Sequence, residues 1–100
     1  MFELRFLPAA LKEWHALDKA VRLQFARKLE KLLAEPHVAS MKLSGLPGAY
    51  WIKLRKAGYR LIYYVDRQRV VVTVLKVARR DKDESYRNLE VRLGQLGFME

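Results

Sequence analysis

Between Lys53 and Lys82 the chain carries ten Lys or Arg residues and only two acidic ones, Asp66 and Asp81. Trp51, Tyr59, Tyr63 and Tyr64 are interleaved with the first of these cations. Cations for phosphates and flat rings for bases are what a single-stranded nucleic acid requires of a protein surface. Lys53, Arg55, Arg60, Arg79 and Arg80 are the cations expected to share a sheet with those rings. A duller reading gives the same charges another task, because cations on strand edges keep a sheet soluble and block edge pairing. Conventional catalysts are scarce. There is no cysteine, which excludes disulfide scaffolds, zinc ribbons, Fe–S clusters and thiol catalysis, and fits a reducing compartment. His15 and His37 are far apart with no acidic cluster beside them, so no metal site and no cofactor is expected. Neither a carboxylate pair nor a histidine pair is on offer. Cationic, metal-free chemistry is what remains.

The whole chain has 100 residues and a formal charge of +9, with 20 Lys+Arg against 11 Asp+Glu. The excess is uneven: the second half carries 12 basic and 6 acidic residues, the first half 8 and 5. A field of this sign gathers anionic partners. The length fits one domain over residues 1–100, and 51% hydrophobic residues are enough for a packed core, so disorder is excluded. No apolar run is long enough to span a membrane. The start, Met1-Phe-Glu-Leu-Arg-Phe-Leu-Pro, has no basic-then-apolar leader pattern, so a soluble cytoplasmic protein is expected.

The elements that must hold these residues follow from periodicity. Phe2, Leu4 and Phe6 alternate with Glu3 and Arg5 as in a half-buried strand. Pro8 suits a first helical turn, and Ala10, Leu11, Trp14 and Leu17 continue at helical spacing, with Trp14 in the core. Asp18 is placed to cap a second helix through its carboxylate, with Val21, Phe25, Leu29, Leu32 and Leu33 as its apolar stripe and Arg22, Lys28 and Lys31 turned away. Pro36 ends that helix, and residues 36–49 read as a loop. Tyr50 to Arg55 alternates, with Trp51, Lys53 and Arg55 on one face. Lys56-Ala57-Gly58 is a turn, Tyr59 to Asp66 a returning strand with Tyr63 in the core, and Arg67-Gln68-Arg69 a second turn. Val70 to Ala78 is apolar almost throughout, as expected of a strand covered on both faces. Tyr86, Leu89, Val91 and Leu93 suggest a short helix over 83–93, with Asp81-Lys82-Asp83-Glu84 as its first turn. The sum is an α+β domain: an antiparallel sheet of about four strands, an N-terminal helical hairpin packed on it, and a short C-terminal helix.

The run Met41-Lys-Leu-Ser-Gly-Leu-Pro-Gly-Ala-Tyr-Trp-Ile-Lys-Leu-Arg-Lys-Ala-Gly-Tyr-Arg-Leu-Ile-Tyr-Tyr-Val resembles the core of RelE-type toxins of bacterial type II toxin–antitoxin pairs. Ala10-Leu11-Lys12-Glu13-Trp14 and Val77-Ala78-Arg79-Arg80-Asp81 through Tyr86 fall in the same order as in that family, so the resemblance covers nearly the whole chain. It implies a RelE-like fold and a ribosome-dependent endoribonuclease that cuts mRNA in the A site by attack of the 2′-OH on the adjacent phosphate. By resemblance Lys53 is the base or a phosphate-positioning cation, Arg60 stabilises the transition-state charge, Arg80 helps the leaving group and Tyr86 stacks on a nucleotide. Trp51, Arg55, Lys56, Lys76, Arg79 and Lys82 are the expected RNA- or ribosome-contacting residues. An isolated lysine is a poor base, and crowding by Arg55, Arg60 and Arg80 would favour its neutral form. Arginine is a poor proton donor, so electrostatic stabilisation suits it better.

One position departs from the family pattern. Where that pattern has a lysine two residues before Lys53, this chain has Trp51, which on a strand faces the same side as Lys53. The ring removes one phosphate contact and can stack on a base or desolvate Lys53. The resemblance also implies a small antitoxin encoded nearby, acidic or carrying an apolar helix, with DNA contacted only indirectly through it. Two rival readings remain at this point: a ParE-like poison of DNA gyrase from the same superfamily, and a ribosome- or RNA-binding protein with a weakened site.

Overall fold

The computed structural model describes residues 1–79 and 88–96. The elements are β1 (Glu3–Phe6), α1 (Pro8–His15), α2 (Lys19–Leu32), a 3-10 turn at Ala39–Met41, β2 (Ala49–Leu54), β3 (Tyr59–Asp66), β4 (Val71–Arg79) and α3 (Leu89–Gln95). They build one four-stranded sheet in the order β1-β4-β3-β2. β2–β3 and β3–β4 are antiparallel hairpins, whereas β1 lies parallel to β4, with Leu4 opposite Val72 and Phe6 opposite Val74. The sheet is therefore mostly antiparallel, with one parallel pair. The first strand enters beside the last because both flanks of β4 must be covered: every residue from Val71 to Val77 is buried.

Pro8 occupies the first turn of α1, where its missing N–H costs nothing. α2 buries Val21, Phe25, Leu29 and Leu32, one residue per turn on a single stripe, while Leu33 at its end is half-buried. Lys28 and Lys31 face outward as expected, and Arg22 is half-buried, reaching back to the His15 carbonyl at 3.4 Å. Asp18 does stand at the N-cap of α2, but its carboxylate makes no capping hydrogen bond. Its contribution there is charge at the positive end of the helix dipole. Trp14 joins the core with its ring 5.3 Å from Phe6 and 6.4 Å from Phe25.

Tyr63 ties the loop 33–48 to the sheet. It is fully buried, stacks on Tyr50 at 5.5 Å and 14°, and donates its hydroxyl to the Pro36 carbonyl at 3.0 Å. Burial pushes its phenol well above the usual tyrosine range, and the neighbouring Tyr50 adds to this. The far side of the loop is zipped to the sheet by Leu43 N–H to the Ala49 carbonyl and Val65 N–H to the Gly48 carbonyl, both at 2.9 Å. The C-terminal helix is found over Leu89–Gln95; the part expected over 83–87 lies outside the described residues. Leu89 is buried and Leu93 half-buried, but Val91 is 62% exposed, so the apolar side is narrower than the sequence suggests.

The second turn runs one residue further than expected. The Asp66 carboxylate accepts the Gln68 and Arg69 N–H groups at 3.0 and 3.1 Å, and Val70 then closes the turn at φ 59°. A β-branched residue is strained there, by about 1–2 kcal/mol. Its side chain is exposed, so little packing offsets that strain. Val70→Gly is expected to stabilise the fold by roughly 0.5–1 kcal/mol after the extra unfolded-state freedom of glycine is deducted. A thermal melt should show this as a midpoint raised by a few degrees.

Candidate active site

The β2–β3 register sets Trp51 opposite Ile62 and Lys53 opposite Arg60. Opposed residues share a face and successive residues alternate, so Trp51, Lys53, Arg60, Ile62 and Tyr64 stand on one face while Tyr50, Ile52, Leu61 and Tyr63 enter the helical side of the core. Lys53 Nζ lies 3.9 Å from the Trp51 ring centroid, and the Arg60 guanidinium carbon lies 4.7 Å from it. One indole thus attracts both cations, each contact being worth about 0.5–2 kcal/mol depending on its exposure. All three side chains are half-buried. The Arg60 Nε is buried and has no hydrogen-bond partner among the described residues. An unpaired buried donor costs about 1–3 kcal/mol, and an anion oxygen would remove that cost.

The other expected site residues are distributed as follows. Arg55 and Lys56 are exposed in the turn that closes when Gly58, at φ 75°, donates to the Leu54 carbonyl at 2.8 Å. Arg79 ends β4 opposite Tyr59, its guanidinium 5.9 Å from that ring, and alternation puts this pair on the face opposite Lys53 and Arg60. Lys53, Arg60 and Arg79 do share one sheet, as expected, but they stand on its two faces. Arg80, Lys82 and Tyr86 lie outside the described residues. Lys76 requires a correction. Expected as a contact residue for RNA, it is only 6% exposed.

A bulge explains where Lys76 points. β3 and β4 pair as Ile62 with Lys76 and then Tyr63 with Val74, so Leu75 is skipped. Val72 and Val74 face the helical core together with Tyr63 and Val65. After the skip, Lys76 and Ala78 share the face of Ile62 and Arg60. Without the bulge Lys76 would point into the core with the valines; bulges re-aim side chains in this way next to functional sites. Lys76 thus lies in one cross-strand row with Ile62 and Trp51.

The structure also shows a clamp that no local pattern announced. β1 covers β4 only as far as Val74. Beyond it, the Glu13 carboxylate accepts the Val77 N–H at 3.0 Å, and Arg92 donates to the Leu75 carbonyl at 2.9 Å. Glu13 and Arg92 then join each other in a two-pronged pair at 2.7 and 2.9 Å. This holds α3 against α1 and the open flank of β4, and the clamp forms part of a cleft of about 460 Å³ lined also by Tyr59, Lys76, Arg79 and Asn88. The partners are 79 residues apart in the chain, so only the fold brings them together. No group of three or more His, Asp or Glu residues among those described is arranged to hold a metal ion. Among the same residues no helix is long and apolar enough to cross a membrane.

The α+β fold, a four-stranded mixed sheet with helices packed on it, is that of RelE-like toxin domains. The family model of the ParE toxin of type II toxin–antitoxin systems matches residues 4–84. The chain belongs to this RelE/ParE toxin family and is of the RelE type. It is 46% identical over 83 residues to the mRNA interferase toxin RelE of Escherichia coli, covering 83% of this chain and 87% of that protein. Against a mutant of E. coli toxin RelE in the free state the TM-score is 0.85, with 41% identity over 92% of this chain and 97% of that one. A chain of the intact E. coli RelBE toxin–antitoxin complex gives a TM-score of 0.78 at 44% identity, covering 79% and 96%.

Glu13→Ala removes the acceptor of the Val77 N–H and the partner of Arg92. The expected loss is about 1–3 kcal/mol, the range for leaving part-buried groups unpaired. Amide hydrogen exchange at Val77 should accelerate more than exchange at Val72 on the β1-covered part of the same strand.

Proposed function

We propose that this toxin is an endoribonuclease that cleaves mRNA in the ribosomal A site, without a metal, and is held inactive by a cognate antitoxin. The observation that carries the reading is the Lys53–Arg60 couple on Trp51, with its buried unpaired Arg60 Nε, in a chain 46% identical to an mRNA interferase. The reaction needs three things. A base takes the proton from the mRNA 2′-OH as its oxygen attacks the adjacent phosphorus. Fixed cations stabilise the charge on the five-coordinate phosphorane. A proton reaches the 5′-oxygen as its bond to phosphorus breaks, leaving a 2′,3′-cyclic phosphate and a 5′-OH.

In this scheme Lys53 is the base or holds the phosphate, and Arg60 offers Nε–H to a non-bridging oxygen. Arg80 assists the leaving oxygen and Tyr86 stacks on a nucleotide, both by likeness to the family. Trp51 fixes the two cations rather than adding a third. Arg55, Lys56 and Arg79 supply exposed charge for ribosomal RNA, and Lys82 is assigned the same role. Lys76 contributes its charge from below. Such a protein works in the cytoplasm, where ribosomes are. A RelB-like antitoxin next to it would carry any promoter-DNA contact.

Primer extension on mRNA under translation tests this. Cleavage by the wild type should fall about 10²–10³-fold in Arg60→Ala, the usual loss when one transition-state donor is removed. Lys53→Ala should fall by about 10²–10⁴, as for loss of a proton-transfer group. Intact mRNA accompanied by gyrase-linked DNA breaks would instead make the chain a ParE-like gyrase poison.

A further inference from the structure

At the other end of the sheet from Lys53 and Arg60 there is a second polar cleft, of about 570 Å³, between the 42–48 loop and the 66–68 turn. Its lining includes Lys42, Tyr64, Arg67 and Gln68, with His37 and Asp66 beside them. Three features make it a built site rather than a gap between loops. First, Gly48 sits at φ 85° and a Cβ there would come within 2.7 Å of the Tyr64 ring, so the bare backbone seats that ring in one place. Second, Arg67 is held from behind: its Nε–H donates to His37 Nε2 at 3.0 Å. That bond engages Nε and not the guanidinium's terminal N–H groups. Third, His37 is itself positioned by T-shaped contacts with Phe2 and Tyr50, each at 6.0 Å between centroids. Asp66 also lines the cleft; its carboxylate is turned to two turn amides and lies 3.9 Å from Arg69, which offsets its charge in part.

The cleft is also aligned with the candidate active site. Arg60, Ile62 and Tyr64 alternate onto one face of β3, and four residues of strand separate Arg60 from Tyr64 by about 13 Å. A ring flanked by two cations, in line with a phosphate-binding couple, has the composition of a base-and-phosphate subsite on a single-stranded RNA path. We propose that this cleft binds a nucleotide of the mRNA on the 3′ side of the cleaved codon, with Tyr64 under the base and Lys42 and Arg67 on the phosphate. The 3′ side is chosen because the codon upstream is occupied by tRNA pairing, so the free single strand runs downstream. The proposal rests on the mRNA-cleaving reading above and gives it a second contact point.

The test uses Lys42→Ala, Arg67→Ala and the double variant on translating ribosomes with two mRNAs. One extends well beyond the A-site codon and the other ends at it. The double variant should lower kcat/KM for the extended mRNA about tenfold and leave cleavage of the truncated one unchanged. Equal losses on both, or no loss on either, overturn the proposal. If the wild type cleaves neither mRNA, the activity itself is misassigned, which is a separate failure. A photo-crosslinker placed at Gln68, which lines the cleft and is assigned no catalytic role, supplies a second readout. A crosslink to mRNA downstream of the A-site codon supports the assignment; crosslinks confined to ribosomal RNA or to protein overturn it.

Discussion

The pairing register of β2 and β3 is the constraint on which the site depends. Lys53 faces Arg60 and Trp51 faces Ile62 only because Tyr50 faces Tyr63 on the other side of the same ladder. A slip by one residue would send every side chain of β3 to the opposite face. Tyr63 resists that slip, since its fully buried ring stacks on Tyr50 and its hydroxyl is bound to the Pro36 carbonyl. A hydrogen bond on the core face therefore specifies the chemistry on the outer face. Two cations set directly opposite each other work against a sheet. Here the Trp51 ring meets both, which lets the pair persist in the folded chain.

β4 solves a different problem with the same economy. It must be covered on both faces and both flanks, yet also direct side chains toward the site. The skipped Leu75 reverses its alternation, so valines face the core before the bulge and Lys76 faces the site surface after it. The Leu75 carbonyl is then taken by Arg92, and the nearby Val77 N–H by Glu13. The flank left uncovered by the short β1 is thus closed by a salt bridge instead of a strand. An unpaired edge invites a foreign strand, so this closure protects the sheet as well as fixing α3.

Much of this was legible in the residues. Period-two patterning alone places Trp51 beside Lys53, and the demand for packing in a central strand places Tyr63 in the core; both hold in the structure. The helices and hairpin turns follow from Pro8, Asp18, Pro36 and Gly58. What local patterns could not reveal depends on contacts distant in sequence. The parallel docking of β1 on β4 joins the first and last strands of the chain. The bulge at Leu75 is announced by no glycine or proline. Glu13 and Arg92 are ordinary helical charges until the fold brings them within 2.7 Å. Burial of Lys76 follows from the bulge, and the division of Arg79 from Arg60 follows from strand parity at the end of β4.

The most direct test of the central claim is a structure of the toxin on a ribosome whose A-site codon carries 2′-O-methyl groups, so that the attacking oxygen is blocked. Arg60 Nε should lie at hydrogen-bond distance, about 3 Å, from a non-bridging oxygen of the phosphate following the blocked ribose, with Lys53 Nζ on the side of the 2′-oxygen. Arg60 bound elsewhere, with that phosphate contacted only by residues outside the Trp51 couple, would contradict it.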